Sequence, residues 1–159
     1  MDKILSIIAK NARLTNAQIA VMAGESEACV AAAIEKYEQA GIIRGYKAVV
    51  DWDKTDREYV SARIELKVIP KKGHGFDEIA KAIAEFEEVE TVYLMSGSYD
   101  LALTVSGKSF KDIAMFTAHR LAQLESVTST STLFVLKKYK ERGTIVFDND
   151  RDLREAPSI

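Results

Sequence analysis

A single cysteine, Cys29, excludes an intramolecular disulfide and any metal site built from cysteine alone. Histidine is almost as scarce. His74 and His119 stand far apart with no cysteine beside either, so no metal-ligand spacing exists. No run approaches the ~18 apolar residues of a membrane-crossing helix. The N-terminal MDKILSIIAKNARLT lacks the apolar centre and small-residue cleavage site of a secretory leader. The expectation is a soluble, cytoplasmic chain with no membrane partner. Charge of one sign is also missing: 22 Lys and Arg against 24 Asp and Glu leave a net charge of -2. That excludes coating nucleic acid by bulk charge, though not a local DNA-reading surface. Neither a Ser/His/Asp arrangement, nor a glycine-rich phosphate loop, nor paired acids at helical spacing in a cleft occurs. The chain therefore reads as a non-enzyme with no cofactor and no metal. What it does have is apolar material, 47% of 159 residues, enough for a core in one domain or two small ones.

The apolar pattern divides into two unlike halves. Residues 1–50 carry three helical patterns and no proline. Ile4, Leu5 and Ile8 share the face of a first helix. Thr15-Asn16-Ala17-Gln18 has capping-box spacing for a second helix, which buries Ile19, Ala20 and Ala23 before Gly24 stops it. Ser26 caps a third, with Val30, Ala33, Ile34 and Tyr37 inward and Gly41 at its end. Three helices with a tight turn between the last two is the helix-turn-helix plan. Ile42 to Val50 then reads as extended, and 51–59 as a polar linker. Cys29, near the start of the third helix, is expected to pack as a small buried side chain, although the helix dipole there would favour a thiolate.

Residues 60–147 form the second domain. Val60, Ala62, Ile64, Leu66 and Val68 alternate with polar residues, the mark of a half-buried strand that Pro70 to Gly75 breaks. A helix follows with Phe76, Ile79, Ala80, Ile83 and Phe86 inward. Strands at 89–96 and 99–106 flank Gly97-Ser98, and Ser109 opens a helix whose inner stripe is Phe110, Ile113, Ala114, Thr117, Leu121 and Leu124. A last strand runs from about Thr128 to Lys137. The basic stretch Lys137-Lys138-Tyr139-Lys140-Glu141-Arg142 reads as a solvated strand end, and 148–159 as a polar tail. The order βαββαβ is ferredoxin-like, so the fold class is α+β. Its helices cover one sheet face. The other would carry Tyr93, Met95, Ala102, Leu133 and Val135, too apolar for water, and predicts a second copy packed against it.

Together these features resemble the Lrp/AsnC (feast/famine) family of transcriptional regulators. The resemblance rests on Asp2-x-Ile4-Leu5, Asn11-Ala12-Arg13, Gly41-Ile42-Ile43 before Gly45-Tyr46, Gly97-x-Tyr99-Asp100 and Thr130-x-Thr132, all in order along residues 1–147. It implies a winged-type helix-turn-helix that binds DNA and a second domain that binds a small effector, often an amino acid. It also implies homodimers that assemble into an octamer or larger ring. Within the helix-turn-helix the candidate DNA contacts are Thr15, Gln18, Ser26, Lys36 and Gln39. The outward face of the third helix is Ala28, Ala31, Ala32, Glu35, Lys36 and Gln39, with one cation and no arginine. Lys3, Lys10, Arg13, Lys36, Arg44 and Lys47 are nearly balanced by Asp2, Glu25, Glu27, Glu35 and Glu38, so one domain alone should bind DNA weakly at physiological salt.

The candidate effector residues are Gly97, Ser98, Tyr99 and Asp100 from one dimer and Thr130 and Thr132 from a neighbouring one. Asp100 has two readings, an acceptor for an ammonium group or a side chain that fixes its own turn. Tyr99 either walls the pocket or points into the core. Two other functions compete with regulation on DNA: an effector-binding, co-assembling module with weak or lost DNA binding, and an enzyme like sirohaem decarboxylase, for which the histidine-poor sequence offers no propionate-binding cluster.

Overall fold

A computed structural model describes residues 2–70 and 75–146. His74 with its loop, Phe147 and the 148–159 tail lie outside the described residues. The chain divides into two compact units, the first ending at Val49 and the second starting at Val50.

The first unit holds α1 (Lys3–Lys10), α2 (Asn16–Ala23) and α3 (Glu27–Gln39). Each start is capped by a side-chain oxygen, because a helix leaves its first N–H groups without partners. The Asp2 carboxylate accepts from Ile4 and Leu5, Thr15 and Gln18 exchange both bonds of a capping box, and the Ser26 hydroxyl accepts from Cys29. Gly24 ends α2 in the left-handed region at φ 78°, where a Cβ would be strained. The chain bends by 105° between α2 and α3, within the range of a helix-turn-helix. Ile4, Ile8, Ile19, Ala20, Ala23 and Val30 form the core, with Ile7, Ala33, Ile34 and Tyr37 packed against it. Leu5 is half-buried and lies outside that cluster; Ile7 takes the place expected for it. The Tyr37 hydroxyl donates to Asp2, tying α3 to the cap of α1. That hydrogen bond and the Leu5 amide hold the Asp2 carboxyl below the ordinary carboxylate range. Ile42 to Val50 makes no paired strand among the described residues. Tyr46 instead donates to the Glu38 carboxylate at 2.8 Å.

In the second unit β1 (Val60–Val68), α4 (Phe76–Ala84), β2 (Val89–Leu94), β3 (Leu101–Gly107), α5 (Phe110–Phe116) and β4 (Val127–Phe134) follow in the ferredoxin-like order. The sheet order is β2-β3-β1-β4, all antiparallel. A small hairpin, β5 (Lys140–Glu141) with β6 (Thr144–Ile145), ends the described chain. It turns at Arg142 and Gly143, both at positive φ, so the basic stretch read as one strand end includes a tight turn. Ala62, Ile64 and Leu66 of β1 are fully buried, as are Leu101 and Val105 of β3 and Ile83 of α4.

Two expectations are corrected here. The inner face of α5 is Ile113, Phe116, Thr117 and Leu121, whereas Ala114 is exposed and Phe110 is 52% exposed against Phe134. The helix continues beyond α5 in a π-type turn at Thr117–Leu121, with the Ala122 N–H donating to Thr117 O. Ile113, Phe116, Thr117 and Leu121 keep helical spacing, so the stripe differs from expectation in phase and not in period. The strands around Gly97 are also shorter than expected. The Met95 N–H donates to Asp100 O at 2.8 Å, closing a four-residue loop rather than a two-residue turn.

Leu103→Ala should cost about 2–5 kcal/mol, because it leaves a cavity on the helix-covered face of β3. A denaturant titration read from the second unit checks this. Tyr59 supplies a pH test. Burial, then its hydrogen bond to Glu90, pushes its phenol up to about 12. The folded chain keeps that proton while an unfolded phenol loses it above pH ~10. This stabilisation is therefore present below pH 10 and lost as pH rises towards 12. Alkaline unfolding should be less steep in Tyr59→Phe over that window.

Candidate nucleic-acid interface and effector site

The surface of the helix-turn-helix is set by what α3 buries. Val30, Ile34 and Tyr37 turn inward, so by the 3.6-residue period Ala28, Ala31, Ala32, Glu35 and Gln39 form a continuous stripe on the opposite side, and all five are exposed. Lys36 is exposed on the flank of that stripe. Cys29 is exposed too, which corrects the expectation of a packed thiol. As the residue before Val30 it sits about 100° round the helix from it, on a flank and not on the inward face, so the helix phase, not cysteine's usual burial, decides its place.

Of the five candidate DNA contacts, Thr15, Gln18 and Ser26 already serve their own helices. Thr15 Oγ1 accepts from the Gln18 N–H at 3.2 Å, and Gln18 Oε1 accepts from the Thr15 N–H at 2.9 Å. Ser26 Oγ accepts from the Cys29 N–H at 3.2 Å. Each accepts only, so the two hydroxyl protons and the Gln18 amide protons remain available as donors. Gln39 donates to Glu35 Oε1 at 3.1 Å. Lys3, another cation of this unit, is committed: its Nζ donates to Ala23 O at the end of α2, at 2.7 Å.

In the second unit Gly97, Ser98, Tyr99 and Asp100 lie at one end of the sheet, and Thr130 and Thr132 lie along β4. Gly97 and Ser98 are exposed in the loop, whereas Tyr99 and Asp100 are half-buried. Asp100 is built into the sheet. Its N–H donates to Leu66 O at 2.9 Å, and its Oδ2 accepts from the Val68 N–H at 2.9 Å. One carboxylate oxygen thus satisfies a backbone donor at the end of β1, and the other has room for a further partner. Thr130 and Thr132 stand opposite Leu66 and Ile64 in register, on the helix-covered face, half-buried. Thr130 therefore lies across β1 from the loop, two strand spacings or about 10 Å away within one chain.

The sheet face not covered by helices carries Tyr93, Leu133 and Val135, at 59%, 50% and 38% exposure, with Met95 at 41% just past β2. Ala102 lies on that face but is buried.

A cleft of about 160 Å³ lies at the other end of β1, lined by Asp51, Trp52, Tyr59, Val60, Ser61 and Phe110 among others. It includes none of the candidate effector residues. Here the stretch read as linker is packed. Asp51 caps a short turn at Trp52–Lys54, and the Arg57 guanidinium lies 4.5 Å from the Trp52 ring centroid and 5.9 Å from that of Tyr59. The signal in the sequence was two aromatic residues bracketing an arginine, outweighed by the polar residues around them.

Comparison with known proteins agrees with this layout. The family model described as Lrp/AsnC ligand binding domain matches residues 61–145. That described as winged helix-turn-helix DNA-binding matches residues 3–44. The HTH-type transcriptional regulator YugG of Bacillus subtilis is 46% identical over 153 residues, 96% of this chain and 92% of that protein. The regulatory protein AsnC of Haemophilus influenzae is 27% identical over 136 residues, covering 86% and 89%. Among solved structures, the transcriptional regulator NMB0573 of Neisseria meningitidis, in complex with L-Met, superposes with a TM-score of 0.73 at 22% identity, covering 92% of this chain and 94% of that one. With both halves matched in order, the chain belongs to the Lrp/AsnC family of transcriptional regulators.

Proposed function

We propose that this regulator binds DNA as an oligomer, with weak contacts per helix-turn-helix, and that a small effector, an amino acid, biases its assembly. The observation that carries the reading is the exposed outer face of α3, which has one flanking lysine and no arginine. Phosphate contacts supply most non-specific affinity, so a domain this poor in cations needs several copies acting together. Tethered copies raise avidity by about 10²–10⁴ without a new contact. The uncovered face bearing Tyr93, Leu133 and Val135 is the surface through which a second copy would dock, since a patch of that character is costly in water. Octamers or larger rings follow from further contacts between dimers. Regulation in the cytoplasm, without catalysis, fits the same set of parts.

The effector reading rests on the Gly97–Asp100 loop of one dimer meeting Thr130 and Thr132 of another. A zwitterion needs an acceptor for its ammonium, for which Asp100 has an oxygen beyond the one held by Val68. It also needs donors for its carboxylate, which the loop N–H groups and the threonine hydroxyls supply. The L-Met complex of the Neisseria relative supports an amino acid as the class of ligand.

Two measurements test these readings. On a duplex from upstream of the protein's own coding region, binding should be clear at low salt and fall steeply as salt rises. Lys36→Ala should weaken it similarly on all sequences and reduce the salt slope by about 1 per bound domain. Undetectable binding at low salt would leave the co-assembling module as the function. For the effector, Asp100→Asn keeps an oxygen for the Val68 N–H but removes the charge. It should fold with a near-normal melting temperature and lose the stabilisation that methionine and other amino acids give the parent protein, whereas Asp100→Ala should lower the melting temperature itself. An Asp100→Asn protein that responds to ligand as the parent does would limit Asp100 to its backbone bond.

A further inference from the structure

The stripe that α3 turns outward has a composition with its own consequence for base recognition. Ala28, Ala31 and Ala32 present three methyl groups and no polar atom, and all three are exposed. Glu35 continues the stripe, with Oε1 held by the Gln39 amide at 3.1 Å and the other carboxylate oxygen uncommitted. Val30 and Tyr37 on the opposite side fix the phase of the helix against the rest of the unit, so the stripe cannot rotate away. This inference rests on the DNA-binding reading above. We infer that α3 reads thymine through its 5-methyl groups and rejects a guanine edge at Glu35, making the preferred half-site a thymine-bearing run with no guanine facing that carboxylate.

Recognition of this kind is a matter of matching edges. In the major groove thymine offers a methyl group, and an alanine side chain is a partner for it. Guanine offers two acceptors, N7 and O6, which need a donor such as arginine. The alanines have no donor, and Glu35 in its charged form has only acceptors. Placing that carboxylate against a guanine edge sets acceptor against acceptor, whereas the N4 amino group of cytosine or the N6 amino group of adenine can donate to it. Short side chains also let the helix backbone sink towards the groove floor, which long side chains would prevent. Each methyl contact is individually modest, so the preference is real but shallow. Lys36 on the flank serves phosphate and leaves sequence choice to the stripe.

The test uses the full chain and a duplex whose protected region has been mapped by footprinting. Replacing thymine with uracil there removes only the 5-methyl group. Each contacted thymine should then cost about fourfold in affinity, the scale of one buried CH₂-sized group. Introducing guanine at the position facing Glu35 should cost more, and Glu35→Gln, which gains a donor, should relieve that loss. Ala31→Gly should shrink the uracil penalty, with circular dichroism confirming that α3 still forms. A uracil penalty unchanged in that variant would place the effect in DNA stiffness and overturn the inference. Equal affinity for thymine and uracil duplexes would also overturn it, while leaving DNA binding intact. Failure to bind any duplex at low salt would remove the DNA reading and this inference together.

Discussion

Burial of β1 between β3 and β4 is the constraint from which the second unit follows. Ala62, Ile64 and Leu66 are inaccessible on the helix side, and both edges of the strand are hydrogen-bonded along its length. A central strand packed this way demands helices on one face only, because the two crossovers α4 and α5 both return to that face. The opposite face is left with Arg63 and Glu65 in the middle and Tyr93 and Leu133 at the sides. The same strand gathers the Gly97–Asp100 loop and the start of β4 at its far end. Asp100 reaches over to satisfy the Val68 N–H there, so the candidate effector loop is held by the strand that organises the core.

Much of this was legible in the sequence because the signals were local. Thr15 with Gln18, and Ser26, cap their helices as the spacing predicts, since the cap needs only neighbours along the chain. The alternation from Val60 to Val68 fixes both strand and face. The misreadings share another cause. From Ile113 to Leu121 the buried stripe runs through Phe116 rather than Ala114, a choice of phase that packing makes and spacing alone does not. The length of the loop before Asp100 depends on a bond between Met95 and Asp100. The packing of Trp52, Arg57 and Tyr59 depends on contacts across a stretch whose composition reads as turn. The exposure of Cys29 follows from the helix phase, which Val30 sets. Of the candidate site, the residues could be named, but whether Thr130 meets the loop of the same chain or of another is a matter of assembly.

Under the proposed function, electrostatics separates this regulator from one that grips DNA with a single domain. With Lys3 committed to the end of α2 and Lys36 alone beside the outer stripe of α3, the recognition surface relies on shape and methyl contact more than on charge. Affinity then becomes a property of the assembly. A ligand that changes the assembly changes occupancy on DNA without touching α3, because occupancy and assembly are linked equilibria.

The most direct measurement of that claim is DNA affinity at fixed low salt across a dilution series, with the size of the assembly followed in parallel by light scattering. The account predicts that affinity per chain collapses over the concentration range in which the assembly dissociates. Chains that bind the same duplex equally well above and below that range would contradict it.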